Sequence, residues 1–106
     1  MDVPDDKRGC LQDSHWSGGS FGYFPSYALG SAYGVQMLRN MEAEQDVWGP
    51  VAQGDLSGVT AWLKEHVHQY GSLLEPAEII EKSCGAFDPA AYTDYLTEKY
   101  SRLYDL

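Results

Sequence analysis

Residues 9–30 read GCLQDSHWSGGSFGYFPSYALG and gather an imidazole, a carboxylate and two phenols in one turn-rich stretch. An imidazole N–H and a phenol hydroxyl are the donors that chemistry at a polarised carbonyl requires, aimed at the oxyanion as it develops. His15, Tyr23 and Tyr27 are the residues of this stretch that carry such groups. A carboxylate that accepts from one imidazole nitrogen fixes which nitrogen faces a substrate, and this role is open to Asp13, with Gln12 beside it. The plainer alternative is a loop whose Gln12 and Asp13 side chains bond its own backbone while His15 serves structure alone. Tyr23 and Tyr27 lie four apart across a helix start, a spacing that puts both hydroxyls on one face, and plain packing suits them equally well. Gly18, Gly19 and Gly22 permit close backbone approach to a substrate or the motion of a lid, so Gly19 joins Gln12, Asp13 and Trp16 as candidates for substrate binding. The glycine spacing matches neither dinucleotide nor P-loop patterns, and no Lys follows.

Positioning these groups falls to a chain that reads as a single segment, residues 1–106, with a lead-in and Gly-rich loop over 1–24 and helices over 25–106. Pro4 and its charged neighbours predict an extended start, and Pro25 suits the first turn of a helix. From about Ser26 to Glu44 apolar residues surround the axis, which predicts a helix in the middle of a bundle or under a partner. Gly30 and Gly34 weaken that helix by about 1 kcal/mol each relative to Ala, a cost that close helix approach would offset. Asp46 to Ala52 reads as a short helix interrupted at Gly49-Pro50. Asp55 then caps a helix in which Val59, Trp62, Leu63, Val67 and Tyr70 form one stripe, stopped by Gly71. Pro76 opens and Gly85 closes another short helix. Asp88-Pro89 starts the last, along which Tyr92, Tyr95, Leu96, Tyr100, Leu103 and Tyr104 recur at helical spacing. Trp48 and Trp62 are expected as packing anchors. No strand-like alternation is bounded by turn signals, so the fold class is all-α: a helical bundle fragment of about four to five helices after a Gly-rich N-terminal loop.

Seven Lys and Arg against sixteen Asp and Glu give a net charge of −9, and the bases are scattered along the chain. Nucleic acid is excluded as a partner on that balance. No apolar run approaches the ~20 residues that span a bilayer, and the acidic, polar start is unlike a secretory signal, so no membrane and a cytoplasmic location are expected. Cys10 and Cys84 are expected as a reduced pair. His66 and His68 sit two apart and, on a helix, point about 200° apart, so they do not chelate one ion from the same face.

Gly9, Gln12, Asp13, His15 and Trp16 form G-x-x-Q-D-x-H-W, which resembles a signature of the thermostable carboxypeptidase Taq family of zinc metallocarboxypeptidases. The SGGSFGYFPSYALG stretch, WLKEHVHQYG, and the tyrosine-rich ending are also similar to the C-terminal end of that family, so that the resemblance covers Asp2 to Leu106. It implies large, almost wholly helical enzymes, homodimeric, that release single amino acids from peptide C-termini. Their zinc is held by two histidines of an H-E-x-x-H helix and a downstream glutamate. None of His15, His66 or His68 has a histidine four positions on, so the ligand helix is missing and no metal ligand is assigned here. The resemblance thus implies about the last fifth of such an enzyme, with His15, Tyr23 and Tyr27 as candidate catalytic residues on the far wall of the groove, donating to the substrate carbonyl, and no activity alone. The alternative is a non-catalytic helical module for homo-oligomerisation or another interaction.

Overall fold

The computed structural model describes Asp2 and residues 4–106; Met1 and Val3, part of the predicted lead-in, lie outside the described residues. Packing divides the chain into residues 1–30 and 31–106.

In the first unit the expected extended start and loop are largely helical turns. A 3-10 turn at Asp6–Arg8 is followed by another at Cys10–Gln12 and by one α-helical turn, α1 (Ser14–Ser17). Two aspartates explain the difference. Asp5 accepts from the Arg8 N–H at 2.8 Å and Asp13 from the His15 N–H at 2.7 Å, each satisfying an amide that the first turn leaves without a partner. Gly19 follows α1 at φ +77°, a left-handed conformation that glycine adopts without a Cβ clash. Helix α2 (Phe24–Glu44) starts two residues before the predicted Ser26 and holds Pro25 in its first turn, where no intrahelical N–H bond is lost.

In the second unit, α2 runs on to Glu44 and is followed by α3 (Trp48–Ala52). Gly49-Pro50 does not interrupt α3 but forms its first turn, where proline is tolerated. Asp46 accepts from the Gly49 N–H at 3.1 Å. Helix α4 (Ser57–His66) begins where Asp55 accepts from the Ser57 N–H at 2.8 Å. The predicted stripe to Tyr70 is carried by two elements, because the backbone breaks at Val67 and resumes as a 3-10 turn, His68–Tyr70, before Gly71 at φ +53°. Helix α5 (Pro76–Cys84) carries a capping box between Glu75 and Glu78, and α6 (Pro89–Tyr104) is capped by Asp88, which accepts from the Ala90 N–H at 2.9 Å. The described residues contain no strand, and the all-α class holds.

The core of residues 31–106 centres on Met41, Val47 and Trp62, with Met37, Leu38, Val59 and Leu63 against it. Ile79 and Ile80 of α5 and Ala91 of α6 are also buried. Trp62 is the anchor expected of it and donates its indole N–H to Glu44 at 2.7 Å. Trp48 is not an anchor, being 57% exposed. The one buried polar side chain among the described residues is Gln36. Its amide donates to the carbonyls of Ala86 at 2.9 Å and Cys84 at 3.3 Å, and its oxygen accepts from the Asp88 N–H at 3.0 Å. Thus one α2 side chain fastens the end of α5 to the cap of α6. The tyrosine stripe of α6 is covered only along its first half: Tyr92, Tyr95 and Leu96 are half-buried, whereas Tyr100, Leu103 and Tyr104 are exposed.

Candidate functional site

Within residues 1–30 the chemistry-bearing side chains meet around one imidazole. The Asp13 carboxylate oxygen that caps α1 also lies 2.9 Å from Nδ1 of His15. An ionised carboxylate only accepts, so Nδ1 carries the proton and Nε2 is the nitrogen presented outward. Neutral, Nε2 accepts; protonated, it donates. The Ser20 N–H closes the turn on the His15 carbonyl at 2.7 Å. Both side chains of the pair are partly shielded, 27% exposed for His15 and 33% for Asp13.

Aromatic rings hold the imidazole in place. His15 stacks on Tyr23 with centroids 4.9 Å apart and planes 16° from parallel, lies 4.9 Å from Phe24, and meets Tyr27 edge-on at 6.2 Å. Tyr23 and Tyr27 pack edge to face at 5.4 Å. Desolvation among these rings pushes the Tyr27 phenol above its ordinary value, helped by its hydrogen bond to Tyr23 and by the negative charges of Tyr23 and Asp13. Both phenols are more than half exposed. The arrangement offers a directed imidazole nitrogen and a phenol O–H side by side, a pair suited to an oxygen on which charge develops.

The other candidates take up different positions. Trp16 joins the ring cluster through Phe24 at 5.4 Å and Phe21 at 5.9 Å. Gln12 turns away from His15 and donates to the Lys7 carbonyl at 2.6 Å. Gly19 is open, with no neighbouring atom within 4 Å of the place a Cβ would take. Sequence reasoning missed Phe24, the ring that touches His15, Trp16 and Tyr27 together. Its place just before Pro25 marks it as the first residue of α2 and gives no other sign of its role.

Elsewhere, His66 stacks on Trp62 at 4.2 Å and lies 3.8 Å from the Glu44 carboxylate, while His68 is exposed. Among the described residues no three His, Cys, Asp or Glu side chains converge as a group able to hold a metal ion. The donor set present therefore does not fit a zinc site. Cys10 and Cys84 are both free thiols, and burial followed by the charge of Glu44 pushes the Cys84 thiol up. Among the described residues no helix is long and apolar enough to cross a membrane.

Residues 1–100 match the family described as carboxypeptidase Taq (M32) metallopeptidase. Carboxypeptidase 1 of Bacillus subtilis strain 168 is 42% identical over 101 residues, a match covering 93% of this chain and 20% of that protein. Thermostable carboxypeptidase 1 of Thermus thermophilus is 38% identical over 102 residues, covering 94% and 20%. The solved BsuCP crystal structure is similar with a TM-score of 0.86 at 39% identity, over 98% of this chain and 21% of that one. The chain spans about a fifth of the length of the relatives it matches.

Proposed function

The chain belongs to the carboxypeptidase Taq (M32) metallopeptidase family, and from that premise we propose that it is the C-terminal part of a zinc metallocarboxypeptidase releasing C-terminal amino acids from peptides. It contributes residues of the substrate groove on the oxyanion side. The carrying observation is the unit formed by Asp13, His15, Tyr23 and Tyr27. Asp13 orients the imidazole, and protonated Nε2 of His15 and the Tyr23 O–H donate to the scissile carbonyl oxygen as its charge grows. Trp16 and the open backbone at Gly19 flank the peptide. In a complete enzyme zinc would supply an activated water, and its ligands would be held by polypeptide outside these 106 residues. The chain alone is therefore inactive. The reading takes peptides as substrate and a homo-oligomer as the assembled form, the latter checked by sedimentation.

The test is a chimera in which this chain replaces the matching fifth of Bacillus subtilis carboxypeptidase 1. The purified chain is expected to release no amino acid from peptides with zinc present, and the chimera to do so. In the chimera, Tyr23→Phe and His15→Gln should each lower kcat by about 10²-fold, the loss typical of an oxyanion donor. Chelator-sensitive release by the 106-residue chain itself would refute the proposal.

A further inference from the structure

Residues 31–106 carry an open apolar groove of about 370 Å³ along α2, α3 and α4, lined by Gly34, Met37, Leu38, Val51 and Leu63 among others, with the exposed Trp48 at its lip. Gly34 lies in mid-helix, where glycine costs stability relative to alanine, yet no atom lies within 4 Å of the place its Cβ would take. No helix of this unit uses the space that the missing side chain leaves. Leu38 and Trp48 also line an adjoining pocket of about 400 Å³, whose charged lining from α2 and α6 is Arg39, Lys99 and Arg102 against Glu42 and Glu98, the bases in excess. Bases that are scattered in the sequence thus concentrate here: three of the seven Lys and Arg of a chain of charge −9. None of the three is ion-paired among the described residues.

We infer that this groove seats an apolar helix bearing carboxylates along one flank, supplied by the four-fifths of a complete family member that this chain does not contain. The inference rests on the reading of the chain as one part of a longer enzyme. An apolar channel lets side chains spaced three and four apart on a helix enter from above, and the basic flank selects which edge of that helix is acidic. The relatives, about five times this chain in length, have the polypeptide to supply it. A second copy is the poorer occupant, because two chains of −9 repel each other.

Hydroxyl-radical footprinting of Trp48 and Met37, read by mass spectrometry in the isolated chain and in the chimera, tests this without any substitution. Oxidation of both is expected to be several-fold slower in the chimera, and equal rates would overturn the inference. Gly34→Leu extends into the groove from a Cβ position that no neighbouring atom of the isolated chain approaches within 4 Å. It should leave the unfolding midpoint of that chain unchanged or higher and lower the midpoint of the chimera. The same fall in both proteins, or in neither, counts against the groove as a seat. Protection of Trp48 that grows with the concentration of the isolated chain would assign the groove to a second copy and overturn the inference. So would a chimera that does not fold, since a 42% identical relative should offer the complementary helix. The readouts separate the two proposals: a chimera that cleaves peptide with Trp48 still reactive sinks only the seat, and one that protects Trp48 but does not cleave sinks only the function.

Discussion

At the scale of single residues, Asp13 serves two purposes with one oxygen, capping α1 and fixing the imidazole of His15. Substitution can separate them. Asn is as good a helix cap as Asp but is uncharged, so it no longer stabilises the doubly protonated imidazolium whose Nε2–H would donate to a carbonyl. Asp13→Asn in the chimera should therefore keep the fold and KM, lower kcat by about 10–100-fold and move the alkaline limb of the pH–rate profile to lower pH. An unchanged profile with an equal loss of thermal stability would reduce Asp13 to a cap. Tyr27 offers a spectroscopic check on the same cluster. Its folded phenol lies above the ordinary value of 10.0, so its contribution to stability is complete below pH 10.0 and is lost as pH rises through the folded value. In an ultraviolet titration Tyr23→Phe should bring this late-ionising phenol back toward its ordinary range. His15, Asp13 and the two tyrosines were legible in the sequence because one short motif and a spacing of four name them. The turn of Gln12 toward Lys7 and the pivot at Phe24 were not, since both depend on the 3-10 and α-helical turns that Asp5 and Asp13 create.

At the scale of elements, the caps that sequence signals announce are the ones that form: Pro76 and Gly85 bound α5, Asp88-Pro89 opens α6, and Gly71 ends the segment after α4. Each is a local rule with a local cause, and so it is readable without tertiary structure. The break at Val67 and the full helical turn at Trp48-Gly49-Pro50 depend on packing and chain direction and escape such rules. Asp55, expected as the N-cap of α4, lies one residue before the actual N-cap Leu56 and still acts on the helix start through its charge. The Ser57 hydroxyl and then its N–H hold the Asp55 carboxyl below its ordinary value of 3.8, so its stabilisation is complete above that value and is lost as pH falls through the depressed folded one. The gap in melting temperature between the wild type and Asp55→Ala should be constant at neutral pH and narrow below about pH 4. No sequence pattern announces Gln36, whose partners lie about fifty residues on. Gln36→Met keeps the volume but strands the Asp88 N–H and the Ala86 carbonyl. It should cost about 1–3 kcal/mol in urea unfolding, because a buried group left without its partner forfeits its full solvation.

At the scale of the whole molecule, the expectation that α2 lies under a partner meets a chain that covers part of it and leaves the rest open. Met41, Ala32 and Val35 are buried, whereas Leu29 is exposed and the Gly34 strip is unfilled. Among the described residues the large hydrophobic side chains that stay exposed outnumber the buried core, which is what about a fifth of a larger fold should show. The charge points the same way. At neutral pH, with histidines uncharged, Arg8 with Asp5 is the one ion pair among the described residues, while the net charge is −9. Salt therefore has little attraction to screen and much repulsion, and repulsion weighs more on the compact state than on the unfolded chain. The melting temperature of the isolated chain should accordingly rise as NaCl goes from about 0.01 to 0.15 M, over which the screening length falls from about 30 to 8 Å. Neutralising acids far from Arg39, Lys99 and Arg102 should mimic the salt, and Arg102→Gln should oppose it by adding to the net negative charge. A melting temperature that falls with salt would mean that attraction between specific charges, and not the excess of acid, governs how this chain holds together.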